Sequence, residues 1–79
     1  MVNLRNILWD GVVCSFEYIV ENETDYPGKI VLNASTGEVK KAEYSKEDPF
    51  HTYAGHAIRR ACEMFSEKDF RKEACACWY

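Results

Sequence analysis

Alternating apolar and polar positions in residues 1–21 predict a β-hairpin. Asp10 and Gly11 stand between two apolar-rich runs and suit a two-residue type I′ turn, whose central residues both need a positive φ. This turn pairs Trp9 with Val12 and decides which side chains share each side of the hairpin. On the predicted core side the second strand places Val12, Cys14, Phe16, Tyr18 and Val20. On the opposite side the hairpin places Val2, Leu4, Leu8, Val13 and Ile19.

Two shorter strands are predicted after an acidic loop that Pro27 and Gly28 close. The third strand covers residues 29–33. Residues 34–37 predict a type I turn that ends in a left-handed Gly37, which makes a bulged hairpin connection. The fourth strand, residues 38–44, alternates poorly and carries Lys40 next to Lys41, which is typical of a strand at the edge of a sheet.

A helical repeat follows, with Asp48 as the predicted N-cap and Pro49 as the first helical residue. At about 100° per residue, the apolar side chains of this segment fall within one arc of about 140°. That arc contains Phe50, Tyr53, Ala54, Ala57, Ile58, Ala61, Met64 and Phe65. Residues 66–72 predict one further helical turn or a kinked continuation of the same helix.

The last six residues are apolar on both sides if they are extended, a pattern that favours a strand inserted in a sheet. We place this fifth strand in the same sheet, with a position beside the first hairpin as one possibility. The prediction is an α+β fold of order ββββαβ: a mostly antiparallel sheet of about five strands with one long amphipathic helix on one face. The 79 residues have room for a single domain.

One helix can cover only one face of such a sheet, so apolar residues remain for the other face. An exposed apolar patch of this kind marks an interface more often than not. We therefore expect a non-enzymatic interaction or regulatory module that forms a homodimer or binds a protein partner through its uncovered sheet face. The predicted interface comprises Val2, Leu4, Leu8, Val13, Ile19, Cys75, Cys77, Trp78 and Tyr79.

Composition and charge narrow the choice of partner and compartment. The chain is 47% hydrophobic and 14% aromatic, which argues against intrinsic disorder. Its net charge of −3 argues against general binding to nucleic acid or to an anionic membrane. No apolar run is long enough for a membrane span, and no signal-peptide pattern opens the sequence. We expect a cytoplasmic protein whose four cysteines are reduced.

Candidate catalytic and metal-binding patterns are weak. His51 and His56 are five positions apart, which places them on different sides of a helix. A single residue separates Cys75 from Cys77, a spacing unlike that of zinc knuckles. Cys62 lies in mid-helix, away from a helix N-terminus and without a paired histidine, and its neighbours one turn either side are Ile58 and Ser66. We therefore predict no catalytic residue, no cofactor and no metal, and we do not favour an enzyme.

Two other functions remain open. The first is a small acidic inhibitor of a larger complex, of the kind encoded by phages or mobile elements. Its binding surface would consist of Glu21, Glu23, Asp25, Glu43, Glu47 and Asp48. The second is a ligand-binding or enzymatic domain with a pocket between helix and sheet, near His51, Tyr53 and Cys62. Such a pocket would need a volume of about 300 Å³ or more.

Overall fold

A computed structural model describes residues 1–21 and 25–77, which form one antiparallel sheet and one helix. The elements are β1 (Val2–Asp10), β2 (Val13–Val20), β3 (Gly28–Asn33), β4 (Glu38–Glu43), α1 (Thr52–Glu67) and β5 (Ala74–Ala76). The strands lie in the order β4-β3-β2-β1-β5, and α1 packs on one face of the sheet. The predicted ββββαβ order and α+β fold are confirmed.

The β1–β2 hairpin has a different register from the predicted one. Its turn consists of Gly11 and Val12, so Trp9 pairs with Cys14 rather than with Val12. This shift changes the pairing by two residues. A shift by an even number does not by itself move a strand side chain to the other face of the sheet. Val12, however, lies in the exposed turn and not on the core side.

A β-bulge at Asn6 has the larger consequence. Asn6 has a φ of 53° and is the extra residue between the Leu8–Ser15 and Arg5–Glu17 pairs. One inserted residue moves everything before it to the other side of the strand, because side chains alternate with a period of two. Val2 and Leu4 therefore face the helix and are buried, and the prediction that they lie on the uncovered face is wrong.

The core lies between α1 and the sheet. Ala54, Ala57 and Ala61 are buried on the helix, and their small side chains allow a close approach to the strands. Opposite them, β2 and β3 contribute alternate apolar residues, because one face of each strand is covered and the other is not. The buried residues of these two strands on the core side are Cys14, Phe16, Tyr18, Val20, Ile30 and Leu32.

The helix begins three residues later than predicted. Its N-cap is His51, which is left-handed with a φ of 58° and makes no capping bond through its side chain. Asp48 lies before the helix, separated from its first residue by a turn in which the His51 N–H donates to the Asp48 carbonyl. The Asp48 side chain still accepts hydrogen bonds from backbone N–H groups of the first helical turn. Phe50 consequently lies before the helix and is 87% exposed, not on the buried arc.

The helix ends at Glu67, so it includes residues 66 and 67, but the rest of the predicted extension, residues 68–72, is not helical. Lys68 is left-handed with a φ of 57°, and the Asp69 N–H donates to the Met64 carbonyl over 2.9 Å. This pattern is a Schellman ending, which satisfies the last carbonyls of the helix and turns the chain away from its axis.

The segment between α1 and β5 returns along the edge of β1. The Ile7 N–H donates to the Lys72 carbonyl over 3.0 Å, and the Trp9 indole N–H donates to the Arg71 carbonyl over 3.4 Å. The Phe70 ring meets the Trp9 ring edge-on, with 5.1 Å between centroids. These contacts hold the segment against β1, so that the residues after it can pair with β1 as β5.

β5 lies beside β1, where Val2 pairs with Ala76 and Leu4 with Ala74. It belongs to the sheet as predicted, but it is the outermost strand rather than an inner one. Ala74 and Ala76 pack against the core, whereas Cys75 and Cys77 are exposed. Trp78 and Tyr79 lie outside the described residues. β4 forms the opposite edge, as its two lysines predicted.

Candidate interaction surface

The side of the sheet opposite α1 is termed here the outer face, and its side chains form rows across the strands. Register places Arg5, Glu17, Lys29 and Glu43 in one row, each directly opposite the next. The neighbouring row consists of Leu8, Ser15, Val31 and Lys41. Side chains directly opposite each other on adjacent strands lie within contact distance, so each side chain of a row can contact the next one in that row.

The first row alternates in charge. Arg5 Nε donates to Glu17 Oε1 over 2.8 Å, and Asn6 Nδ2 donates to the same oxygen over 3.1 Å. The Arg5 hydrogen bond, aided by the Lys29 charge, lowers the pKa of the Glu17 carboxyl, so this carboxylate stays ionised at neutral pH. The row therefore presents positive, negative, positive and negative groups from β1 to β4.

The second row combines two apolar side chains with a serine and a lysine. Leu8 is 66% exposed, Val31 is half-buried, and the small Ser15 lies between them. The small serine leaves a shallow groove of about 230 Å³ between Leu8 and Val31, and parts of Glu17 and Lys29 also line this groove. Leu8 lines a second groove as well, where the segment after α1 crosses the edge of β1. This side chain is thus the most prominent apolar group of the outer face.

Of the predicted interface residues, the structure brings only some to this surface. Leu8, Val13, Ile19 and Cys75 lie on the outer face, although Ile19 is almost fully buried. Val2 and Leu4 are in the core, as described above. The charged row was missed, because cross-strand neighbours can be named only when the register is known. The Lys29–Glu43 and Arg5–Glu17 pairs have no signal in the linear sequence.

The structure gives His51, Tyr53 and Cys62 three different surroundings. The His51 ring stacks on Tyr44, with 3.5 Å between centroids. The Tyr53 hydroxyl donates to Glu21 over 3.0 Å, which raises the pKa of this tyrosine. Cys62 is half-buried, and burial raises the pKa of its thiol. None of the grooves described here is lined by any of the three.

The acidic residues of the inhibitor hypothesis also differ in their surroundings. Asp48 is buried and accepts hydrogen bonds from inside the protein. Glu21 accepts from the N-terminal ammonium group over 3.2 Å, and Glu43 belongs to the outer face. Glu23 lies outside the described residues. Asp25 and Glu47 are exposed in loops.

The four cysteines are free thiols in this structure. Burial, followed by the effect of the neighbouring Cys62, raises the pKa of Cys14 to about 12, which keeps this thiol protonated. Among the residues described, no three of His, Cys, Asp and Glu are grouped so that they could hold a metal ion. No helix in the described part of the chain is long and apolar enough to cross a membrane.

Comparisons of this chain with protein-family models, with curated proteins and with solved structures found no match.

Proposed function

We propose that this protein is an interaction module that forms a homodimer through the outer face of its sheet. The observation that carries the proposal is the alternating row of Arg5, Glu17, Lys29 and Glu43. A twofold symmetric interface must be complementary to itself, because the same patch is used on both subunits. The row is complementary to itself when two copies pack face to face about one particular twofold axis.

The arrangement has a twofold axis parallel to the strands, between Glu17 and Lys29. Rotation about this axis reverses the order of the row, so Arg5 lies over the second copy's Glu43 and Glu17 over the second copy's Lys29. Every charge of this row then meets its opposite, and the same rotation places Leu8 over the second copy's Lys41 and Ser15 over the second copy's Val31. The strands of the two sheets keep nearly the same direction, as in aligned sheet packing.

The second row supplies the burial that charges alone do not provide, because Leu8 packs on the aliphatic chain of the second copy's Lys41. Exposed ion pairs contribute about 0–1 kcal/mol each, whereas burying a leucine contributes about 1.5–3 kcal/mol. Leu8 is largely exposed in the isolated chain, so among the outer-face side chains its burial should contribute most to the free energy of association. The small size of the domain also favours association, because its single core has limited stability to offer.

Sedimentation velocity over a range of protein concentrations tests the proposal with the variant Leu8→Lys. We expect the wild-type chain to sediment as a concentration-dependent dimer that weakens as salt is added, because the charge row is screened. Leu8→Lys should remain monomeric, because it removes the apolar contact and places an ammonium group against the second copy's Lys41.

Phe50→Lys is the matched control. Phe50 is more exposed than Leu8 but lies in the loop before α1, away from the outer face. This variant should dimerise like the wild type. A wild-type chain that stays monomeric at every concentration would refute the proposal, and so would equal loss of the dimer in both variants.

A further inference from the structure

We infer that the groove between α1 and β5 binds an extended acidic peptide, which adds to the sheet as a further strand beside β5. This surface, termed here the α1–β5 groove, lies at the outer edge of β5, away from the two rows of the outer face. His56, Arg59, Arg60 and Glu63 form its helical wall, and residues 75–77 form its other wall. Its volume is about 420 Å³.

The edge of β5 is the first part of the argument. In the order β4-β3-β2-β1-β5, this strand has β1 on one side and is the last strand of the sheet on the other. Successive residues of a strand direct their N–H and C=O groups to opposite sides, so at least one of residues 74–76 directs both away from β1. Such an edge is a template for an added strand.

β5 is a short edge of three residues, but it lacks three other features that block pairing. An edge strand is protected by charged side chains, by proline or by a bulge. β5 has the sequence Ala-Cys-Ala and no register shift against β1. At the opposite edge, β4 carries Lys40 and Lys41 and has an irregularity in its register against β3. Among residues 1–21 and 25–77, the sheet is therefore protected at its β4 edge and exposed at its β5 edge.

The helical wall indicates the charge of the added strand. Positions 56, 59, 60 and 63 form one stripe along α1, since residues three and four apart are neighbours on a helix. The stripe carries two guanidinium groups against the single carboxylate of Glu63, in a chain whose net charge is −3. Arg60 also lies 3.8 Å from Glu67, whereas the exposed Arg59 is placed to meet a carboxylate of the peptide.

Backbone pairing and charge have separate roles in this binding mode. Main-chain hydrogen bonds to the edge strand supply affinity, and the side chains of the groove wall supply selectivity. An acidic extended peptide satisfies both requirements, whereas a basic peptide would satisfy only the first. Selection by charge is therefore the property that separates specific binding from general edge pairing.

The experiment uses a short fluorescein-labelled peptide of alternating valine and glutamate, and a second of alternating valine and lysine. Fluorescence anisotropy should show saturable binding of the acidic peptide and none of the basic one. Arg59→Glu should weaken binding about tenfold, because it reverses a charge that faces the peptide. Lys40→Glu makes the same charge change at the opposite edge and should leave the affinity within about twofold.

NMR of the isotopically labelled protein locates the binding site. We expect the acidic peptide to shift the backbone amide signals of residues 74–77 and to leave those of β4 unchanged. No saturable binding, equal effects of the two variants, or shifts centred on β4 would each overturn the inference. Sedimentation of Arg59→Glu should match the wild type, so failure here is distinguishable from failure of the proposed homodimer.

Discussion

At the scale of single residues, the best-connected group in the core is the buried carboxylate of Asp48. It accepts hydrogen bonds from the Tyr18 hydroxyl over 3.2 Å, from the Tyr53 N–H over 3.1 Å and from the Ala54 N–H over 2.9 Å. The Tyr18 oxygen in turn accepts from the Ser45 N–H over 2.9 Å. The carboxylate thus connects the sheet to the first turn of α1 and replaces the capping bond that His51 does not make.

Asp48→Ala should lower the free energy of unfolding by about 2–4 kcal/mol, because three donors, two of them buried, lose their acceptor. Urea denaturation monitored by circular dichroism measures this loss. Glu47→Ala is the control: the neighbouring side chain is exposed, so its removal should change stability by less than about 0.5 kcal/mol. Similar results for the two variants would mean that the Asp48 network contributes little.

At the scale of elements, local patterns predicted which segments are strands and helix better than they predicted where those elements start. The apolar repeat of α1 was evident in the sequence. Its first turn was not, because His51 enters the helix in a left-handed conformation. The bulge at Asn6 was likewise hidden, because the conformation of a single residue decides the side on which Val2 and Leu4 lie.

Replacing glycine by alanine should have opposite effects on stability at Gly55 in α1 and at Gly28 in β3. Gly55 lies on the exposed side of α1, and an added Cβ would meet nothing within 4 Å. Gly55→Ala should raise the free energy of unfolding by about 0.5–1 kcal/mol, because alanine has the higher helix propensity. Gly28 in β3 lies under the Tyr18 ring, and an added Cβ would overlap it. Gly28→Ala should lower stability by about 1–3 kcal/mol.

Thermal unfolding of both variants checks the pair. A higher melting temperature for Gly55→Ala with a lower one for Gly28→Ala would agree with the structure. If Gly28→Ala were as stable as the wild type, the packing of Tyr18 against β3 would have to differ from that described here.

At the scale of the whole molecule, burial makes stability depend on alkaline pH. Burial raises the pKa of Cys14 from 9.0 to about 12 and that of Tyr18 from 10.0 to about 12. Between these values the unfolded chain releases protons that the folded chain retains. The contribution of both groups to stability is therefore complete below about pH 9 and is lost as pH rises towards about 12.

We expect the free energy of unfolding to fall between about pH 9 and about pH 12, and to fall less steeply in Cys14→Ala. Urea denaturation at a series of pH values gives the slope, which is separate from any constant loss due to the smaller side chain. Cys75→Ala is the control, because this side chain is exposed in the folded chain, and its slope should equal that of the wild type. Equal slopes for Cys14→Ala and the wild type would contradict the buried position of Cys14.

The sequence by itself determined the α+β class, the order of the elements, the core side of β2 and the edge position of β4. These features follow from periodicity and from lysine placement, which act over a few neighbouring residues. Only the tertiary structure decided the charged row of the outer face, the burial of Val2 and Leu4, and the α1–β5 groove. Each of these depends on which distant residues lie opposite one another, and a single bulged residue is enough to change that pairing.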